Sequence, residues 1–261
     1  MKIVVLMKQT FDTETRINLN AEGAIDETGV NYVVNPFCEI ATEEAIRIKE
    51  QLGEGEVVIL SVGPDRAESA MRQCFAMGAD RGVLINDPAL EGGDEYTTAL
   101  VLAKALSNME YDIVLAGYQA VDDGSAQIGA RVAELLNIPQ VTIVTKLELS
   151  DGKAIATREL DDGFEVIEVP LPALFTAQRS LAEPRYPSMK GVIQAKKKPI
   201  QRLTLADLGI SADEVGAKGA RVKGESLVLP EPRQAGKIIE GEPAEATAEL
   251  VRLLREEAKV L

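Results

Sequence analysis

The residues best able to hold a ligand lie in three short turns. The longest, AGYQAVDDGSAQIG (116–129), follows the apolar run DIVLAG and leads into ARVAELL. Gly117, Gly124 and Gly129 punctuate it, and free backbone N–H groups at a helix start suit a phosphate. Gln119, Ala120, Val121, Ala126, Gln127 and Ile128 complete the loop, and Ser125 is the expected N-cap of a helix beginning at Ala126. Asp122 and Asp123 sit in the middle, where a phosphate should avoid them. Taken alone, such acids more often cap and solvate a helix end than bind anything. Two adjacent carboxylates without further ligands do not make a metal site. The second turn, NPFCEIA (35–41), sets Asn35 and Cys38 among apolar neighbours, with Pro36 suited to the first helical position and Phe37 offering an aromatic face. On pattern alone it reads as a helix start with a core phenylalanine. The third, SVGPD (61–65), carries Val62. The first and third follow apolar runs, the second follows a loop, and all three precede helical patterns. Together they would lie at one end of a parallel sheet, where such folds bind ligands.

Composition removes several chemistries. The chain has 261 residues, no histidine and no tryptophan, which leaves no His general base, no Ser-His-Asp triad and no His-containing zinc site. No catalytic residue is assigned. Cys38 and Cys74 form no C-x-x-C. There is no G-x-G-x-x-G after the first strand and no Walker A motif, so a standard dinucleotide or triphosphate pocket is not indicated. A net charge of −14 argues against binding nucleic acid or an anionic membrane surface. No run reaches the apolar length of a membrane span, and IVVLM is too short for a signal peptide. The expectation is a cytoplasmic or matrix-like protein that opens directly on a buried strand.

The elements that must position these turns follow from periodicity. KIVVLM, EVVILSVG, RGVLIND and YDIVLAG are continuous apolar runs, as expected of parallel strands buried on both faces. Helical patterns of roughly a dozen residues separate them, which implies right-handed βαβ units. After Pro139 the residues alternate apolar and polar, with SDGK and LDDGF as turns, predicting antiparallel hairpins and then a strand at PALFTA. The expected fold is α/β, a mostly parallel doubly wound sheet with antiparallel hairpin strands and a C-terminal arm. Residues 1–210 would form the α/β domain. Residues 211–261 would form the arm: an extended stretch to Gly236, then an amphipathic helix within 242–261.

A fourth stretch, EPRYPSMKGVIQAKKK (183–198), reads as an irregular basic loop. It carries Arg185, Tyr186, Met189 and Lys190 and is a plausible docking patch on an acidic protein, or else a solvated charged loop. These segments, with AMGADRG and ELDDGFEVIEVPLPALFTA, resemble the β subunit of electron-transferring flavoprotein in order and spacing over nearly the whole chain.

The resemblance implies an adenine-nucleotide α-hydrolase-like fold and a heterodimer with an α subunit that holds most of the FAD. It implies an AMP buried in this chain, contacted by Leu6, Asn35 to Cys38, Val62 and Gly117 to Ile128. It implies that electrons arrive from acyl-CoA-type dehydrogenases docked on the 183–198 loop and leave to a membrane quinone oxidoreductase. The arm would reach onto the α subunit's flavin domain. Met189 stands where the family places its docking leucine, and Thr13 where some members carry a tyrosine near the flavin. Bifurcating members hold a second FAD in place of AMP and tend to spell the turns NPDD and DGDTAQVGP. NPFC is of the AMP type, while DDGSAQIGA is intermediate, so AMP is expected and a second FAD is the alternative. A free-standing adenine-nucleotide-binding protein is a third reading, disfavoured by the missing histidine and Walker motif.

Overall fold

The computed structural model describes residues 1–150, 152–232 and 235–261. Asp151 of the SDGK turn, and residues 233 and 234 of the stretch expected to be extended, lie outside the described residues. The chain divides into two compact units: residues 1–17 with 26–225, and residues 18–25 with 226–261.

The first unit is built on a nine-stranded sheet. Its parallel centre is β1 (Lys2–Leu6), flanked by β4 (Glu56–Val62) and β6 (Ile113–Gly117). Beyond β4 lie β5 (Arg81–Ile85) and the edge strand β11 (Ile200–Leu203), both parallel. Beyond β6 come β10 (Ala173–Ala177) and β7 (Gln140–Ser150), then the antiparallel hairpins β8 (Lys153–Leu160) and β9 (Gly163–Pro170). The expected doubly wound α/β sheet is therefore present, hairpins included.

Alternation along the strands supplies a core on each face. Ile3 and Val5 of β1 join Ile59, Phe75 and Phe175 on one side, under α1 (Pro36–Leu52) and α2 (Ala67–Met77). Val4 and Leu6 join Leu60, Leu106 and Val132 on the other, under α3 (Glu95–Ser107) and α4 (Ile128–Leu136). Strands covered on both faces read as unbroken apolar runs, which is why they were legible. β1 has β4 on one side and β6 on the other, so the chain reverses its winding there and leaves a crevice at the carboxyl ends.

Four features differ from the sequence expectation. A separate two-stranded ribbon, β2 (Gln9–Phe11) with β3 (Tyr32–Val34), was not foreseen. It is pinned to the start of α2: the Arg66 guanidinium stacks 3.7 Å over the Tyr32 ring, and Gln9 donates to Ser69 Oγ at 2.9 Å. The basic stretch is not an irregular loop throughout, since it contains helix α5 (Met189–Ala195), N-capped by Ser188, which accepts from the Gly191 N–H at 3.0 Å. β11 was also missed. Finally, the stretch after Ser211 is not wholly extended: past the short α6 (Leu205–Leu208) it forms α7 (Gly216–Gly219), with Val215 fully buried.

In the second unit Leu19 bridges Ile25, and α8 (Pro243–Glu256) forms the expected C-terminal helix. Leu227, Val228, Leu229 and Ile238 are exposed, and α8 buries none of its residues.

Candidate functional site

At the carboxyl ends of β1, β4 and β6 lies a cavity of about 830 Å³. Thirteen of the expected residues line it: Leu6, Asn35, Cys38, Val62, Gly117, Tyr118, Gln119, Ala120, Asp123, Ser125, Ala126, Gln127 and Ile128. Pro36, Phe37, Val121, Asp122 and Gly124 are not in its lining and belong to the turns that shape the wall.

Those turns are stapled together by Asn35. An asparagine before a helix ordinarily caps it, yet this side chain makes no cap bond to α1. Its amide nitrogen donates instead to the Gln119 carbonyl at 2.8 Å, and its oxygen accepts from the Val121 N–H at 3.1 Å. At 1% exposure the side chain is sealed from water, so these bonds have no solvent substitute. Gly117 lets the two turns close, because a Cβ there would stand 2.7 Å from Phe37 Cβ. Phe37 packs edge-on against Tyr118 with ring centroids 4.6 Å apart. Asn35 also donates to Cys38 Sγ at 3.3 Å, and burial pushes the Cys38 thiol up.

The acidic pair is neutralised by a residue that sequence reasoning passed over. Lys8, two positions beyond β1, reaches Asp122 Oδ1 at 2.7 Å and Asp123 Oδ2 at 2.8 Å. Burial works against its charge, but the two carboxylates outweigh that and hold Lys8 above its ordinary value. Burial also opposes the ionised form of Asp123, yet Lys8 and the Ser125 N–H hold its carboxyl below the usual range. The only signal in the sequence was a lysine at the end of a central strand, level with the loop.

The helix start needs correcting. Ser125 does not cap a helix at Ala126; α4 begins at Ile128, and the Ser125 N–H donates to Asp123 Oδ1 at 2.9 Å. Gly124 and Ala126 take left-handed backbone conformations, with φ of 63° and 54°, which delays the first helical turn. The Gly124 N–H is also spoken for, by the Ala120 carbonyl at 2.9 Å. Among the described residues, the N–H groups of Ala126 to Ala130 meet no acceptor. Unpartnered N–H groups at a helix start have the polarity that suits an anion, Ala126, Gln127 and Ile128 line the cavity, and both nearby carboxylates are already paired.

The opposite wall of the cavity comes from the start of α3. Asp94 caps it: Oδ1 accepts from the Thr97 N–H at 2.9 Å. Oδ2 accepts from the N–H groups of Arg221 and Val222, at 2.7 and 3.0 Å, tying down the chain beyond α7. Burial raises the Asp94 carboxyl, but these N–H donors hold it down at about 2. A group depressed in the folded state stabilises above its unfolded value and ceases to as pH falls through the folded one. The Asp94 contribution should therefore be intact at neutral pH and disappear between about pH 4 and about pH 2. Asp94→Ala should lower stability at pH 7 by roughly 1–2 kcal/mol. That deficit relative to the parent should vanish near pH 2, as read by urea titration; a deficit equal at both pH values would refute the linkage.

The basic stretch presents an exposed apolar face. Tyr186 is 98% exposed and Met189 80%, and Val192 and Ile193 follow Met189 by three and four positions on α5. Lys190, Lys196 and Lys197 are exposed beside them. Arg185 is placed differently, its guanidinium bound to Glu43 and Glu50 of α1.

Among the described residues no cluster of three His, Cys, Asp or Glu side chains could hold a metal, and no helix is long and apolar enough to cross a membrane.

Residues 22–208 match the family model of the electron transfer flavoprotein domain. The chain is 44% identical over 262 aligned positions to the electron transfer flavoprotein subunit beta of Bacillus subtilis, covering 100% of both chains. It is 46% identical to that of Thermoanaerobacterium thermosaccharolyticum, covering 97% of this chain and 98% of the relative. The caffeyl-CoA reductase-Etf complex subunit CarD of Acetobacterium woodii is 36% identical, with 98% of each chain covered. Matched along its length, with a doubly wound sheet whose crevice opens at the DDGSAQIG loop, the chain belongs to the electron transfer flavoprotein family as a β subunit.

Proposed function

We propose that the cavity holds AMP and that the exposed face of α5 docks the dehydrogenases whose electrons the complex carries. A β subunit of this family is an electron-carrier subunit rather than an enzyme, and its partner is an α subunit. In this reading FAD, bound mainly by the α subunit, supplies the redox chemistry. The acceptor is a membrane quinone oxidoreductase, and the complex works in the cytoplasm.

The observation that carries the AMP assignment is the paired state of Asp122 and Asp123. Lys8 engages both, leaving the unpartnered N–H groups of Ala126 to Ala130 as the positive pole of the loop. A single phosphate suits such a site, which offers amides rather than a cluster of cations. Leu6, Val62, Ala116 and Leu102 provide apolar surface for a base. This chain's residues bind and orient the nucleotide and exclude water from it.

A second FAD is the competing occupant. At about 830 Å³ the cavity lies toward the upper end of the ~300–1,000 Å³ usual for small-molecule sites, and it extends from the α4 start to Leu102 of α3. A relative named for a caffeyl-CoA reductase-Etf complex also lies within the matched family. Acid extraction of the co-expressed heterodimer followed by chromatography separates the two. About one FAD and one AMP per heterodimer is the expected result; two FAD without AMP would replace this reading with the bifurcating one.

A further inference from the structure

We propose that Arg185 is a positioning residue that presets the docking segment, holding Tyr186 to Ile193 in one arrangement before a partner arrives. The proposal rests on the reading that this face docks the electron donor.

The observation is a carboxylate on α1 that is almost buried and served by Arg185. Glu43 is 7% exposed. Its oxygens accept from the Arg185 backbone N–H at 3.1 Å, from Nε at 2.9 and 3.0 Å, and from a terminal guanidinium nitrogen at 2.8 Å. Among the described residues no other group donates to the Glu43 side chain. The same guanidinium reaches Glu50, seven residues on and on the same face of α1, at 2.6 and 2.9 Å. One planar fork thus bridges two carboxylates on a helix, a geometry that a lysine cannot reproduce. It fixes the main chain at the residue before the exposed Tyr186.

The far end of the segment is anchored as well. Arg72 of α2 donates to the carbonyls of Ala195 and Lys198, at 2.8 and 2.6 Å. The Lys198 ammonium donates to the carbonyls of Phe75 and Ala79, at 3.1 and 2.6 Å. Between these anchors the apolar side chains of Tyr186, Met189, Val192 and Ile193 face solvent. Exposed apolar residues on a tethered frame lose less freedom on binding than the same residues on a free loop. Arg185 thus contributes to docking without contacting the partner.

The test uses the intact α/β heterodimer with an acyl-CoA dehydrogenase as electron donor. Arg185→Gln should raise the KM for the dehydrogenase about tenfold and leave kcat and FAD content unchanged. Amide exchange of residues 186–195 should become faster. Arg185→Lys should recover only part of the loss. Glu50→Gln, at an exposed position that folding tolerates, should raise KM about threefold and carries the test should Arg185→Gln not fold. Unchanged KM in the Arg185 and Glu50 variants, with Met189→Glu impaired, would overturn the positioning role and leave the docking reading standing. Should Met189→Glu itself leave KM unchanged, the docking reading fails. Amide exchange then decides the positioning alone: faster exchange in Arg185→Gln supports it, and unchanged exchange overturns it.

Discussion

Lys8→Glu is expected to strip the heterodimer of its adenine nucleotide. In the parent, Lys8 draws Asp122 and Asp123 to itself at 2.7 and 2.8 Å, away from the N–H groups that open α4. With a glutamate there, three carboxylates crowd one wall of the cavity. Like charges repel the incoming phosphate, and a freed aspartate can swing onto the helix start and occupy the anion site itself. Charge-assisted hydrogen bonds contribute about 1.5–3 kcal/mol each, so affinity should fall by roughly 10- to 100-fold or more. Lys8→Met, which keeps the stem and loses the charge, should fall in the same direction by less. Acid extraction measures nucleotide per heterodimer and calorimetric titration with AMP measures affinity, while FAD content checks that the complex has assembled. Parental AMP content in Lys8→Glu would remove the basis for placing the phosphate at this loop.

Met189→Glu is expected to uncouple the complex from its dehydrogenase while sparing both cofactors. The residue is 80% exposed at the first turn of α5, with Val192 and Ile193 beside it. A flexible apolar anchor entering a pocket is the kind of contact that dominates a small interface, and a buried unpaired carboxylate in its place is strongly unfavourable. The KM for an acyl-CoA dehydrogenase should rise by about 10- to 100-fold. AMP and FAD content should match the parent, since the docking face and the cavity share no residue. Lys190, Lys196 and Lys197 form the charged rim, so coupling in the parent should weaken as salt rises. Turnover unaffected by Met189→Glu would exclude α5 as the docking element.

What was legible in the sequence, and what was not, divides by the range of the interaction concerned. Strands β1, β4, β5 and β6 announce themselves as unbroken apolar runs because both of their faces are covered. Their placement brings the SVGP and DDGSAQIG turns to the carboxyl ends of the sheet, where Asn35 joins the NPFC turn to the latter. Helix α5 was hidden because seven residues with an internal glycine leave too little periodicity to read. Strands β2 and β3, of three residues each, are ordered by Arg66 and Gln9 rather than by their own pattern. The partnership of Lys8 with Asp122 and Asp123 spans more than a hundred residues, as does that of Arg185 with Glu43, and no local pattern encodes either. The misplaced cap at Ser125 has a local cause: Ala126 adopts a left-handed conformation that an alanine rarely takes and that no sequence pattern signals.

Helix α1 touches both functional regions. Asn35, at its head, staples the DDGSAQIG-bearing turn at the cavity, and Glu43 and Glu50, farther along, grip Arg185. Its 17 residues run about 25 Å, with Pro36 only at the first position and no glycine inside. It carries no internal proline or glycine at which to kink, and structural coupling between two sites is carried by elements with two discrete arrangements. In the proposed reading, the nucleotide and the dehydrogenase should therefore bind with separate, additive free energies, and by reciprocity neither would sense the other. Divergence at one end of α1 could then proceed without compensation at the other, so that β subunits holding different nucleotides can share one docking surface.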